Sequence, residues 1–241
     1  MEAGVEMRRA AMKAVLIFVL LCSANAAHAG RSLFQVRCEE TMAKAVTVMS
    51  TRENGYSIDN TKSFHALTAL KGPAPSNAYV LGLTRTQSRL EISLNGSILQ
   101  DPLSGYECIS PRIAVTLYYI PIVIYIGKEF SPGTCAYDEI LAHEMRHLNT
   151  YLDHLPKVEE VVRKALSNRF DNKPLYARSG QARASLQREV DTGWMPYMKR
   201  ELVRVEAKQA LIDTPQEYAR LSRVCKGEVQ SLIGPAKRAR R

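Results

Sequence analysis

Hydrophobic and polar positions change their period about halfway along the chain. Between residues 78 and 128, four short runs of β-branched and aromatic residues partly alternate with polar ones: AYVLGLT, SRLEISLN, RIAVTLYYI and IVIYIG. The turn clusters NGS and DPLSG stand between some of these runs, so the pattern predicts an antiparallel sheet. Pro111 and Pro121 fall at predicted strand ends, where a missing N–H does not interrupt the ladder.

A helical period begins after SPGTC, residues 131–135, and continues towards the C-terminus. It predicts helices near residues 136–155, 157–169, 181–212 and 215–232. Gly193 and Pro196 are expected to break the third of these. Residues 30–75 show no clear pattern. Strands followed by helices indicate an α+β fold, with an N-terminal antiparallel sheet and a helical second half.

The first 29 residues have the pattern of a secretory signal peptide. Basic residues precede an apolar run at residues 14–21, and Ala-His-Ala at residues 27–29 matches the small-x-small site that signal peptidase cleaves. We expect cleavage after Ala29, a periplasmic or secreted location, and no stable membrane insertion afterwards. The rest is expected to form one domain over residues 30–233, with a disordered basic tail at residues 234–241.

The charge balance is basic, with 33 Lys and Arg against 24 Asp and Glu. In a secreted chain without a recognition motif, this excess favours anionic envelope surfaces over nucleic acid as a partner. Four cysteines remain after the predicted cleavage: Cys38, Cys108, Cys135 and Cys225. An even number in an oxidising compartment predicts two disulfides, with three possible connectivities. We favour Cys135 with Cys225 and Cys38 with Cys108.

The stretch EILAHEMRHLNTYLDHL, residues 139–155, contains H-E-x-x-H as His143, Glu144 and His147. Residues four apart on a helix bring their side chains to about 5–6 Å, so the two imidazoles can bind one tetrahedral Zn²⁺. Glu144 then stands beside the remaining position, where it suits the role of general base for a water molecule. Arg146, a charged residue inside the motif, is expected to point to solvent.

A helical projection separates the side chains of this segment into three sectors. A core stripe and a charged, solvent-facing side account for two of them. The histidines occupy the third sector, which predicts a helix that lines a cleft. The core stripe consists of Leu141, Met145, Leu148, Leu152 and Leu155.

The third metal ligand is left open by the sequence. His154 lies about 10 Å from His147 along an unbroken helix, and Asp153 points about 100° away from the histidines. A carboxylate from a later helix is therefore preferred, with Glu189 ahead of Glu159 and Glu160.

The order of several segments resembles a bacterial family of predicted secreted zinc-dependent proteases of otherwise unknown function. The resemblance covers roughly residues 55–155 and rests on YSIDNT, LTALKGP, AYVLGLTRTQSRLEIS, CISPRIAVTLYYIP and HEMRH. It implies a zincin-like metallopeptidase, with His143 and His147 as zinc ligands and Glu144 as the catalytic base.

We therefore expect a zinc-dependent endopeptidase that acts on a peptide or protein substrate. We expect the substrate to lie extended along a sheet edge, with IVIYIG at residues 122–127 as the preferred strand, and Tyr151 or Tyr197 to stabilise the oxyanion. The same site would suit hydrolysis of a cell-wall amide. The alternative is a non-catalytic envelope protein with a structural or vestigial metal site. The sequence does not determine the substrate or the oligomeric state.

Overall fold

The computed structural model describes residues 31–42, 46–52, 55–72 and 79–234. The chain divides into two compact units, residues 1–41 and 42–241. The first unit contributes one described helix, α1 (Leu33–Thr41); all further elements belong to the second. The predicted signal peptide and most of the predicted tail lie outside the described residues. None of the helices in the described ranges is long and apolar enough to cross a membrane.

The larger sheet is built around one long strand. Its members are β1 (Val46–Arg52), β4 (Ser88–Asp101), β5 (Tyr106–Tyr119) and β7 (Leu175–Arg178). β4 pairs antiparallel with β5 along its whole length. On the other edge of β5, β7 pairs antiparallel with its beginning and β1 pairs parallel with its remainder.

Only one of the two predicted turn clusters forms a turn. DPLSG forms the turn between β4 and β5, where Gly105 takes a φ of 68° that favours glycine. NGS is not a turn, because Gly96 lies inside β4 opposite Pro111. A Cβ on Gly96 would come within 2.5 Å of the carbonyl oxygen of Ser110. Glycine is therefore needed here for close strand packing rather than for a bend.

A second, smaller sheet contains β2 (Ser57–Asp59), β3 (Gly82–Arg85) and β6 (Val123–Ile126). β6 is central, with β2 parallel on one side and β3 antiparallel on the other. Helix α2 (Phe64–Lys71) lies between β2 and β3 in the sequence. The prediction of one antiparallel sheet is thus corrected to two sheets, each with a parallel pair. Parallel pairs join distant segments, which local patterns do not reveal.

Helix α3 (Cys135–Phe170) is a single helix of 36 residues. We predicted two helices divided at Pro156, and this was wrong. Proline inside a helix removes one hydrogen bond and costs about 3 kcal/mol or more. Beyond it, Val158, Val162, Leu166 and Phe170 are all buried, and each buried side chain of this kind contributes about 1.5–3 kcal/mol. Burial of this second half therefore outweighs the cost of the proline.

The long helix contacts both sheets. In its first half, Ile140 and Glu144 lie against Gly82 of β3. In its second half, Arg163 donates a 2.9 Å hydrogen bond to the carbonyl of Met49 in β1. The helix is consequently the element that joins the two sheets and the C-terminal helices.

The predicted partition of side chains around α3 needs correction. His143, His147 and His154 lie on the buried side, whereas Leu141 and Met145 are only partly buried. The C-terminal helices cover the histidine sector, which a projection of one isolated helix cannot show. The buried side of α3 is therefore wider than the leucine stripe.

The C-terminal half is helical, as predicted, and confirms the α+β class. The break that we expected at Gly193 and Pro196 was wrong, because Gly193 lies in a π-helical turn and Pro196 is the second residue of the helix that follows it directly. The run from residue 182 to residue 203 changes its hydrogen-bonding pattern at this turn but does not stop there. After β7 come α4 (Ala182–Glu189), the π turn (Val190–Trp194), α5 (Met195–Val203), α6 (Val205–Gln209), α7 (Pro215–Arg223), a 3₁₀ turn (Val224–Gly227) and α8 (Glu228–Ile233).

The described part of the chain contains two disulfides, as predicted. Cys135, the first residue of α3, is bonded to Cys225 in the 3₁₀ turn, with 5.7 Å between their Cα atoms. This confirms the favoured partner for Cys135. Cys38 and Cys108 are also disulfide-bonded.

Candidate metal centre

Three potential ligand atoms converge on one point beside α3. The Nε2 atoms of His143 and His147 are 3.2 Å apart. Each also lies 3.2 Å from Oδ1 of Asp213, in the turn between α6 and α7. Both histidines are buried and Asp213 is partly exposed. The three atoms therefore form a nearly equilateral triangle at the edge of the core.

The size of this triangle fits zinc. In a tetrahedral site with metal bonds of about 2.0–2.1 Å, neighbouring ligand atoms are about 3.3–3.4 Å apart. The observed 3.2 Å edges match one face of such a tetrahedron. A metal ion seated on that face would have its fourth position open, which is the arrangement of catalytic zinc sites.

The second nitrogen of each imidazole has a side-chain oxygen close to it. Nδ1 of His147 lies 2.5 Å from Oε1 of Gln209, whose amide nitrogen donates to the backbone carbonyl of His147. Nδ1 of His143 lies 3.3 Å from Oε1 of Glu217. When Nδ1 carries the proton, Nε2 is free to bind a metal, so the contact with Gln209 orients the ring of His147 towards the triangle. At His143, Glu217 competes for Nδ1 with Arg146, whose guanidinium can only donate to that nitrogen.

Charge around the two imidazoles is arranged to favour a cation. Burial alone would raise the pKa of the Asp213 carboxyl, but hydrogen bonds from His143, His147 and Lys71 outweigh it and hold that pKa well below its usual range. Burial alone would lower the pKa of His147, but its contacts with Asp213 and Glu144 raise it above the ordinary value. Carboxylates that stabilise a protonated histidine also stabilise a divalent ion in its place.

Glu144 is buried beside the two histidines and is held by β3. Its Oε2 accepts a 2.8 Å hydrogen bond from Thr84, whose hydroxyl also lies 3.1 Å from the backbone carbonyl of Glu144. Burial raises the pKa of the Glu144 carboxyl, and the nearby His147 and His143 oppose this shift. A carboxylate with a raised pKa next to a cation site is suited to accept a proton from water near neutral pH.

The carboxylate in the triangle is not one that we predicted. Glu189 instead forms a bidentate pair with Arg169, at 2.7 and 2.8 Å. Glu159 is bonded to Arg163, and His154 contacts the carbonyl of Glu201. Asp153 and Glu160 are exposed on α3 and are not part of the group.

Asp213 follows the end of α6 and precedes the helix start at Thr214 and Pro215. Thr214 caps α7 by accepting from the N–H of Glu217. This Thr-Pro pair is a helix-start pattern that sequence analysis could have used. It would have placed Asp213 in a turn, although it would not have placed that turn beside His143.

Arg146 does not simply point to solvent. Its side chain is bonded to Glu217, and its Nη2 lies 2.9 Å from Nδ1 of His143. Arg220 also donates to Glu217. The hydrogen bonds from Arg220, His143 and Arg146 lower the pKa of the Glu217 carboxyl to about 2, against the effect of burial. The charged residue inside the motif therefore helps to keep the acceptor of His143 ionised.

The predicted tyrosines have partners elsewhere. The phenol of Tyr151 donates to Glu206 at 3.4 Å, and Tyr197 packs edge-on against Trp194. A different tyrosine, Tyr218 of α7, interacts with both Asp213 and Lys71. A second group of potential ligands, Cys135, Cys225 and Glu228, has its sulfurs in the disulfide and is not a metal site.

No family model, no curated protein and no solved structure matches this chain.

Proposed function

We propose that the protein is a secreted or periplasmic zinc-dependent metallopeptidase. The observation that most directly supports this proposal is the triangle of two Nε2 atoms and one Oδ1 atom with 3.2 Å edges. His143, His147 and Asp213 would hold the ion, and the buried Glu144 stands next to them. The two disulfides are compatible with the proposed location.

A zinc ion at this position would polarise the scissile carbonyl and lower the pKa of a water molecule. Glu144 accepts a proton from the attacking water and passes it to the leaving amine, so that the peptide bond yields a carboxyl group and an amine. Thr84 holds Oε2 of Glu144 at 2.8 Å and fixes its orientation for this transfer. Gln209 and Glu217 keep the two rings from rotating.

The substrate edge that we predicted must be replaced. β6, which contains most of residues 122–127, has β2 on one side and β3 on the other, so its backbone is already paired. Among the described strands, β3 is at the edge of this sheet, and it runs past Glu144, with Thr84 in contact with that residue. An extended peptide that pairs with β3 would place its backbone beside the metal centre.

The proposal is tested with the zinc-loaded protein and a set of quenched fluorescent peptides. Glu144→Gln should retain zinc and lose about 100-fold to 10,000-fold in turnover, because the general base is removed. Glu160→Gln is the matched control, since Glu160 is an exposed glutamate of the same helix. Unchanged turnover in Glu144→Gln, or zinc-loaded protein that cleaves no peptide, would refute the proposed activity.

A further inference from the structure

The two oxygens of the Asp213 carboxylate have different partners. Oδ1 lies 3.2 Å from Nε2 of His143 and of His147. Oδ2 accepts a 2.9 Å hydrogen bond from Nζ of Lys71. The carboxylate is therefore oriented with one oxygen towards the imidazoles and the other towards an ammonium group.

Lys71 reaches this position from a distant part of the chain. It is the last residue of α2, 142 positions before Asp213 in the sequence. Its side chain is 41% exposed and that of Asp213 is 24% exposed. The contact is thus partly shielded from water, which makes a charge-assisted hydrogen bond stronger than one at an open surface. Tyr218 lies beside the same pair.

A carboxylate can bind a metal through one oxygen or through both. Binding through both oxygens of Asp213 would occupy the coordination position that a catalytic site leaves open for water. It would also place the ion on the oxygen that accepts from Lys71, where the ammonium group repels a cation and the charge-assisted bond is weakened. The position of Lys71 therefore opposes binding through both oxygens.

We propose that Lys71 is a positioning residue of the metal centre, which restricts Asp213 to binding through Oδ1. This inference rests on the proposed function, because it assumes that the triangle holds a metal. It assigns no contact with the substrate to Lys71. It gives α2, which contributes no metal ligand, a role in setting the geometry of the site.

The experiment compares Lys71→Met with Lys71→Arg and Lys62→Met. Lys62 is the matched control, because it forms an ion pair with Asp59 at 3.6 Å and has a side-chain exposure of 39%. Zinc affinity is measured by competition with a chromophoric chelator. The coordination number is followed by the visible absorption of the Co²⁺-substituted protein, which is more intense for four-coordinate than for five-coordinate or six-coordinate cobalt. Melting temperatures verify that each variant is folded.

We expect Lys71→Met to bind zinc about 10-fold to 100-fold more weakly, the usual effect of losing a partner of a metal ligand. Its cobalt spectrum should be weaker than that of the wild type. Lys71→Arg, which keeps a charged donor, should recover most of both properties, and Lys62→Met should match the wild type. If Lys71→Met does not fold, Lys71→Gln is expected to show the same two changes.

Wild-type affinity together with a wild-type cobalt spectrum in Lys71→Met would overturn the inference, as would an equal loss in Lys62→Met. A wild-type protein that binds no zinc would overturn it along with the metal centre. A wild-type protein that binds zinc but cleaves no peptide would refute the proposed activity alone, since affinity and spectrum would still test Lys71.

Discussion

The disulfide between Cys135 and Cys225 should stabilise both the fold and the metal centre. We consider the double variant Cys135→Ser, Cys225→Ser. The bonded cysteines are 90 positions apart, and in the chain-entropy model a loop of this length contributes about 4.6 kcal/mol to the free energy of unfolding. For a domain of this size, such a loss lowers the melting temperature by roughly 10–18 °C.

The effect on the metal centre follows from what the disulfide restrains. Gln209, Asp213 and Glu217 all lie in one stretch that ends at Cys225, while the two histidines lie on α3, which begins at Cys135. The bond therefore joins the helix that carries the histidines to the segment that carries their carboxylate partner and both Nδ1 acceptors. Without it, that segment should move more freely and zinc should dissociate faster.

The assays are thermal unfolding followed by circular dichroism, and zinc release to a chelator at a temperature where every variant is folded. The control replaces Cys38 and Cys108 by serine, because these cysteines are also disulfide-bonded but lie outside α3 and outside the stretch that carries Gln209, Asp213 and Glu217. We expect both variants to unfold at lower temperature, and only Cys135→Ser, Cys225→Ser to release zinc faster. Equal zinc release in the two variants, or an unchanged melting temperature in the first, would refute the reasoning.

Two further predictions concern Gly82 and His154. A Cβ on Gly82 would lie 2.7 Å from Oε1 of Glu144, so Gly82→Ala should displace that carboxylate and lower peptidase turnover by roughly 100-fold with zinc retained. The control is Gly193→Ala, because a Cβ there meets no atom within 4 Å. Full turnover in Gly82→Ala would contradict the expectation. Burial lowers the pKa of His154 in the folded protein below the ordinary value of 6.5. The neutral imidazole therefore contributes its full stability above pH 6.5. As the pH falls from 6.5 towards the folded-state pKa, the free energy of unfolding decreases by up to about 1.4 kcal/mol per pH unit. Denaturant unfolding between pH 7 and 5 should therefore show a smaller pH dependence for His154→Gln than for the wild type, and equal dependence would contradict the assignment.

The local parts of the site could be predicted from the sequence. The spacing of His143 and His147 places both rings on one side of a helix, and the structure brings their Nε2 atoms to 3.2 Å. Asp213 could not be predicted, because it comes from a turn 66 positions after His147. A carboxylate in a turn has no periodicity, and its position depends on how α6 packs against α3.

In the fold, too, features set by neighbouring residues could be predicted, whereas features set by packing of distant segments could not. The class and the β4–β5 hairpin follow from local patterns, because the alternation of β4 and the turn at Gly105 lie within one stretch. The parallel pairing of β1 with β5 joins segments more than sixty residues apart, and nothing within either segment specifies it. Pro156 is a further example, since a strong local preference is overcome by packing of the whole helix.

The most direct test of the account is the zinc content of the purified protein and of Asp213→Ala, measured by mass spectrometry after dialysis. Asp153→Ala is the control, because Asp153 is an exposed aspartate of α3 that an unbroken motif helix directs away from the histidines. The account predicts about one zinc ion per chain in the wild type and in Asp153→Ala, and a large loss in Asp213→Ala. A wild-type chain without zinc, or an Asp213→Ala variant that retains it, would contradict the proposed metal centre.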